Sequence, residues 1–110
     1  MAIHKTEAFS KQEQQLAAFA RALSHPARIA ILKVLARRPD CVCGQIVEVL
    51  PLAQSTVSQH LKALKEAGLI QGTIDGPRSC YCINWEAFGR FKGQFEQWFT
   101  RLETGRSSCC

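Results

Sequence analysis

The fold of this chain is decided by residues 54–70, which read QSTVSQHLKALKEAGLI. Val57, Leu61 and Leu64 recur at helical spacing and predict an amphipathic helix. Gly68 follows in the position where helices commonly end in the left-handed conformation. The opposite face of this helix carries hydroxyl, amide and ammonium groups, which a helix needs in order to bind in the major groove of DNA.

The segments around this helix predict a winged helix-turn-helix, mainly α with a small β-hairpin. In chain order they are a helix at 6–23, a helix at 26–37, a short extended segment at 41–43, a helix-turn-helix at 44–67, a wing at 69–83, a helix at 85–102 and a flexible tail at 104–110, all within one domain over residues 1–110. The second helix is expected to turn Ile29, Leu32 and Leu35 toward the core. Either Ser24 or His25 can cap its first turn.

The composition limits the class of protein. The 110 residues carry a net charge of +5, which favours polyanionic partners but is weak evidence alone. No apolar run approaches the roughly 20 residues of a membrane span, and the N-terminus lacks the apolar core of a signal peptide. We therefore expect a cytoplasmic protein without a membrane partner. No Ser/His/Asp or Cys/His catalytic arrangement is recognisable, so the sequence predicts no catalytic residues and no enzyme activity.

Two segments resemble the arsenic-repressor (ArsR-type) family of bacterial regulators. They are SHPARIAIL at 24–32 and STVSQHLKALKEAGLI at 55–70, and the likeness extends over about 16–84. The resemblance implies a transcriptional repressor that binds double-stranded operator DNA as a homodimer and needs no cofactor to do so. The segment Cys41-Val42-Cys43 resembles the thiol signature of the family's arsenite sensors, which implies As(III) or Sb(III) as the inducer.

The residues expected to contact DNA lie on the polar face of the 54–67 helix and at the tip of the wing. They are Gln54, Ser55, Thr56, Ser58, Gln59, His60, Lys62 and Arg78. Gln59 could make a bidentate contact to adenine, whereas Ser55 and Thr56 suit phosphate or a base edge. Two interpretations of His60 stay open: it contacts phosphate, as the family likeness suggests, or it covers the edge of the core. Arg78 could contact the DNA backbone or minor groove, although solvated turn arginines are common.

The two terminal helices, at 6–23 and 85–102, carry more apolar surface than peripheral helices of so small a domain can cover alone. Pairing them across a two-fold axis would bury that surface and would match a palindromic operator. The alternative is that both helices simply close the core of the monomer.

The six cysteines form three close pairs, which are Cys41 with Cys43, Cys80 with Cys82, and Cys109 with Cys110. Because the chain lacks a secretory signal, we expect reduced thiols rather than a disulfide framework. Trivalent arsenic and antimony are soft centres that suit three thiolates. In the family segment that this stretch resembles, three cysteines can come from one short stretch, but here Ile46 stands three positions beyond Cys43. The resemblance therefore implies that the third ligand comes from elsewhere.

The geometry of a winged helix favours the second pair as the source of that ligand. The short strand at 41–43 should lie beside the returning strand of the wing, where Cys80 and Cys82 share one face. The tail pair, Cys109 and Cys110, ranks second, because a flexible donor loses more entropy on binding. The alternatives are reversible oxidation between the two pairs, a zinc or cadmium site, and a metalloid-sequestering thiol protein with no role in DNA binding.

Overall fold

The computed structural model describes residues 7–38, 41–43, 50–73 and 80–106. Its elements are α1 (Lys11–Ala22), α2 (Pro26–Ala36), β1 (Val42–Cys43), α3 (Gln54–Glu66), β2 (Ile70–Thr73), β3 (Cys80–Ile83) and α4 (Trp85–Thr104). This order is the predicted winged helix-turn-helix. The part of the predicted helix-turn-helix before Leu50 and the turn of the wing fall outside the described residues.

Helix α1 begins at Lys11, which is later than the predicted start at residue 6. The Ser10 hydroxyl accepts a hydrogen bond from the Glu13 backbone N–H at 3.1 Å, and the Glu13 carboxylate accepts one from the Ser10 N–H at 2.9 Å. This reciprocal capping box satisfies two of the otherwise unpaired N–H groups at the helix start. It therefore fixes where α1 begins.

Helix α2 is capped by His25, the second of the two predicted candidates. The Nδ1 atom of His25 accepts a hydrogen bond from the Ala27 backbone N–H at 2.9 Å. The prediction that Ile29 faces the core is wrong, because 49% of its surface is exposed. At 3.6 residues per turn Ile29 lies about 120° around the helix from buried Leu35, and Ile31 takes its place in the core.

The three strands form an antiparallel sheet in the order β1-β3-β2, so the return strand of the wing is central. Gly68, with φ +82°, ends α3 as predicted and lets the chain turn into β2. The core lies where α2, α3 and the sheet meet; its members are Ala22, Ile31, Leu32, Leu35, Val57, Leu61, Leu64, Leu69, Ile70, Tyr81 and Ile83. No helix in the described parts of the chain combines the length and apolar character that a bilayer span requires.

Candidate functional site

The two Cys-x-Cys segments lie side by side in the sheet. Strand β1 pairs antiparallel with β3, so that Val42 is opposite Tyr81 and Cys43 is opposite Cys80. Cys41 and Cys82 are joined by a disulfide, and their Cα atoms are 4.4 Å apart. The predicted placement of the two segments as neighbours is thus confirmed.

The cysteines of β3 lie on the outer face of the sheet. Side chains alternate along a strand, and in β3 Tyr81 and Ile83 are buried whereas Cys80 and Cys82 are only half-buried. Burial also raises the pKa of the Tyr81 hydroxyl. We call the outer surface formed by Cys41, Cys80 and Cys82 the thiol face. Because Cys41 is exposed, a soft ion or an oxidant can reach it without opening the core.

The expectation of reduced thiols needs correction. Cys41 is bonded to Cys82, and Cys80 is also disulfide-bonded. The physical reason is the register, because directly paired strands bring Cα atoms into the distance range that disulfides span. Among the described side chains, no group of three or more His, Cys, Asp or Glu residues could hold a metal ion. The Cys43 side chain lies outside that set, as do Cys109 and Cys110.

Sequence reasoning missed one neighbour of the thiol face. Gln71 lies opposite Cys82 in the β2–β3 register, and its amide Nε2 donates toward the Cys82 sulfur at 4.0 Å. The sequence could indicate this neighbour only through the pairing register of the two wing strands. That register cannot be assigned until the turn between the strands is known.

Helix α3 presents the predicted polar face. Val57, Leu61 and Leu64 are buried. Of the predicted DNA contacts, Gln54, Ser55, Gln59 and Lys62 are exposed, and Thr56 and Ser58 are half-buried. The N-cap residue, Ala53, makes no side-chain capping bond. The first N–H groups of α3 are therefore not taken by a cap and can face a phosphate.

His60 differs from its neighbours on α3, because it is buried. Its Nδ1 accepts a hydrogen bond from Arg28 Nε at 3.2 Å, and its ring centroid is 4.4 Å from that of His25. Burial is the main cause that lowers the pKa of His60, and the nearby His25 and Arg28 lower it further. This position supports the interpretation that His60 covers the edge of the core. Arg78, at the wing tip, lies outside the described residues.

The two terminal helices pack on each other and still leave apolar surface exposed. The Phe19 and Phe91 rings are 4.5 Å apart, and Arg101 of α4 donates to Gln12 of α1 at 2.7 Å. A groove of about 790 Å³ lies between these helices, with Leu16 and Phe95 among its lining residues. The large apolar side chains left exposed on or next to these helices are Phe9, Trp85, Trp98, Phe99 and Leu102. The helices thus close part of the core without covering all of their own apolar surface.

Comparison with known proteins agrees with this architecture. The family described as "Bacterial regulatory protein, arsR family" matches residues 25–71. The HTH-type transcriptional regulator YgaV of Escherichia coli K12 is 38% identical over 74 residues, which cover 67% of this chain and 75% of that protein. This chain belongs to the ArsR family. The HTH-type transcriptional regulator CmtR of Mycobacterium tuberculosis is 35% identical over 95 residues, covering 84% of this chain and 78% of that one.

Two solved structures share the fold. An ArsR-like transcriptional regulator from Rhodococcus sp. RHA1 superposes with a TM-score of 0.66 at 24% identity, over 86% of this chain and 92% of that chain. The crystal structure of M. tuberculosis Rv0081 gives a TM-score of 0.57 at 27% identity, over 89% and 98% of the two chains. As an ArsR-family protein, this chain is a DNA-binding transcriptional regulator and not an enzyme.

Proposed function

We propose that this ArsR-family protein is a homodimeric, cytoplasmic repressor that leaves its operator when As(III) or Sb(III) binds its thiolates. The ligands would come from Cys41, Cys43, Cys80 and Cys82, with Cys109 and Cys110 as less favoured donors. The observation that carries the proposal is the β1–β3 register, which sets two Cys-x-Cys segments against each other. Sulfur donors on adjacent strands, about 4.8 Å apart, suit a soft trivalent centre.

Binding of the metalloid requires the reduced form of the site. Each disulfide must first take up two electrons and two protons from a cellular dithiol, which is itself oxidised to a disulfide. The thiols then lose their protons to the solvent as they bind the ion. The exposure of Cys41 and the half-burial of Cys82 make the site accessible to both reactions.

The sheet offers a path from the thiol face to α3. Strand β3 is hydrogen-bonded to both β1 and β2. Leu69, just before β2, donates its N–H to the Leu64 carbonyl of α3 at 3.0 Å, and its carbonyl accepts from Asn84 N–H at 2.9 Å. Drawing β1 and β3 together can therefore shift α3 relative to the operator. A coupling free energy of about 1–3 kcal/mol, or about 5- to 150-fold in affinity, would suffice for regulation.

The homodimer is supported by the apolar surface that α1 and α4 leave exposed. Trp98, Phe99 and Leu102 lie along the C-terminal half of α4, and Phe9 precedes α1. Burying such surface against a second copy would bring two α3 helices to successive half-sites of a palindromic operator.

The direct test is titration of fully reduced protein on an operator selected from random-sequence DNA, with and without arsenite. We expect operator affinity to fall by about 5- to 150-fold when arsenite is present. X-ray absorption should then count three sulfur neighbours around arsenic, and sedimentation of the free protein should give a dimer. An unchanged affinity would contradict metalloid sensing, and a failure to retard DNA would favour the metalloid-sequestering alternative.

A thiol-redox repressor is the second candidate, and the Cys41–Cys82 disulfide favours it. Hydrogen peroxide would oxidise the two thiols to the disulfide and would itself be reduced to two waters. In that case peroxide alone would release the operator, a dithiol would restore binding, and arsenite would not be required. A zinc- or cadmium-responsive repressor would instead respond to those ions in the operator titration.

Gln59 is proposed to read a base of the operator. We expect Gln59→Ala to weaken operator binding by about 1–3 kcal/mol, because a bidentate amide contact to adenine would be lost. Binding to random-sequence DNA should change little. Lys62→Ala is the matched control, since loss of a phosphate contact should weaken both kinds of binding alike. Equal losses in the Gln59 variant, measured by competition titration, would remove Gln59 from the base-reading residues.

A further inference from the structure

A small cluster of two histidines and one arginine joins α2 to α3, away from the thiol face. It consists of His25, Arg28 and His60. Arg28 donates its Nε–H to the Nδ1 of His60 at 3.2 Å, and the two imidazole rings are 4.4 Å apart. His25 is itself fixed, because its Nδ1 caps the start of α2. His60 stands directly after Gln59, the residue proposed to read a base.

Arg28 also reaches a third element. Its NH1 donates to the carbonyl oxygens of Arg21 and Ala22 at 3.4 Å each, at the C-terminal end of α1. One guanidinium therefore ties the end of α1 and the beginning of α2 to the middle of α3. A planar group with several fixed donors can do this, whereas an ammonium group cannot reproduce the geometry.

We propose that Arg28 and His60 are positioning residues for DNA recognition, and that this link makes operator selectivity fall at acid pH. The Nδ1 atom can accept from Arg28 only while it carries no proton. Protonation replaces the acceptor by a donor and sets two cations against each other. One of the contacts that fix the orientation of α3 in the major groove of DNA is then lost.

The charges around His60 determine the direction of the effect. His60 faces Arg28 of α2 and His25, the N-cap residue of α2, and the Arg21 and Ala22 carbonyl oxygens of α1 accept from Arg28. Within the described residues, no carboxylate forms a hydrogen bond or ion pair with His60. Its pKa is lowered from 6.5, first by burial and then by these two neighbours. His60 is therefore neutral above about pH 6.5 and loses the bond as the pH falls through its lowered pKa.

The same shift predicts a loss of stability in acid. Because the folded-state pKa lies below the unfolded one, the unfolded chain takes up the proton first as the pH falls below about 6.5. The free energy of unfolding therefore decreases from that pH downward. A purely structural role would show only this change, whereas a positioning role also changes the choice between DNA sequences.

The experiment is the ratio of operator affinity to random-sequence affinity, measured between pH 8 and pH 5 at constant salt. Added positive charge strengthens binding to any DNA, so the ratio isolates positioning from charge. For the wild type we expect the ratio to fall by at least about fivefold, the lower end of usual coupling energies. For His60→Asn, whose amide oxygen can accept from Arg28 and does not titrate, we expect a ratio that does not depend on pH. His60→Gln serves the same purpose if the first variant does not fold.

Two further variants check the assignment. His25→Asn keeps a capping side chain but removes one of the neighbours that lower the pKa of His60, so the fall in the ratio should move to higher pH. Arg28→Lys keeps the charge and should lower the ratio even at pH 8. A wild-type ratio that is constant over this range would overturn the proposal, and so would the same decline in wild type and His60→Asn.

Discussion

Serine at position 41 or 82 should abolish the response to arsenite while operator binding is retained. The reason is the pairing of these two residues at the edge of the β1–β3 ladder, where their Cα atoms are 4.4 Å apart. If Cys41 and Cys82 are both among the three thiolate ligands, a variant that lacks either one keeps only two of the three donors that a trivalent metalloid needs. Arsenite should lower the operator affinity of the wild type by about 5- to 150-fold and should leave that of either variant unchanged. Operator titration with and without arsenite measures this difference.

The double variant Cys41→Ser with Cys43→Ser should behave in the same way, and full release in that protein would contradict the proposed site. The matched control is Cys109→Ser with Cys110→Ser, which removes the same number of thiols from the tail. We expect it to respond like the wild type. If the tail variant fails to respond instead, the third ligand comes from the tail and not from Cys43 or Cys80. Peroxide titrations of the same proteins separate metalloid sensing from oxidation.

Alanine in place of Gly72 should destabilise the sheet by about 2 kcal/mol or more, because strain and a backbone clash combine. Gly72 has φ +125°, and a Cβ atom there would lie 2.0 Å from the Cys80 carbonyl oxygen and 2.9 Å from the Tyr81 Cα. Both obstacles are backbone atoms of β3, so a side-chain rotation cannot relieve them. Urea unfolding should show the loss, and the arsenite response should weaken with it because β3 carries Cys80 and Cys82.

Gly89→Ala is the control for this substitution. Gly89 is an exposed residue of α4, and a Cβ atom there would meet nothing within 4 Å. Alanine is the better helix former, so this variant should gain up to about 1 kcal/mol in the free energy of unfolding. If Gly72→Ala were as stable as the wild type, the close approach of β2 to β3 would not constrain the sheet.

Local patterns predicted the elements whose signals lie within a few residues. The stripe of Val57, Leu61 and Leu64 predicted the buried face of α3, and Gly68 predicted its end. The start of α1 was predicted too early, because the apolar pattern begins before the Ser10–Glu13 capping box that marks the observed start. The inward face of α2 was misassigned at Ile29, since a run of four apolar residues at 29–32 fits more than one stripe.

The relations between elements were partly predictable. Knowledge of the winged-helix order was sufficient to place β1 beside β3. The link from Arg28 to His60 was not foreseen, because it depends on how α2 crosses α3 and joins residues separated by 32 positions. The contact of Gln71 with Cys82 required the register of the wing. The oxidation state of the thiols could not be read from the sequence, because adjacent cysteines suit both a disulfide and a soft ion.

The Cys41–Cys82 bond also defines a ring in the chain. The two residues are 41 positions apart, and the ring they close contains α3, β2 and nearly all of the wing. Helices α1, α2 and α4 lie outside it. Any closure at this point, by a disulfide or by an ion shared between the strands, restricts the conformations of the DNA-reading segment as a unit. The helices proposed for dimerisation lie outside the ring, so the proposed sensing site and the proposed dimer contacts belong to topologically separate parts of the chain.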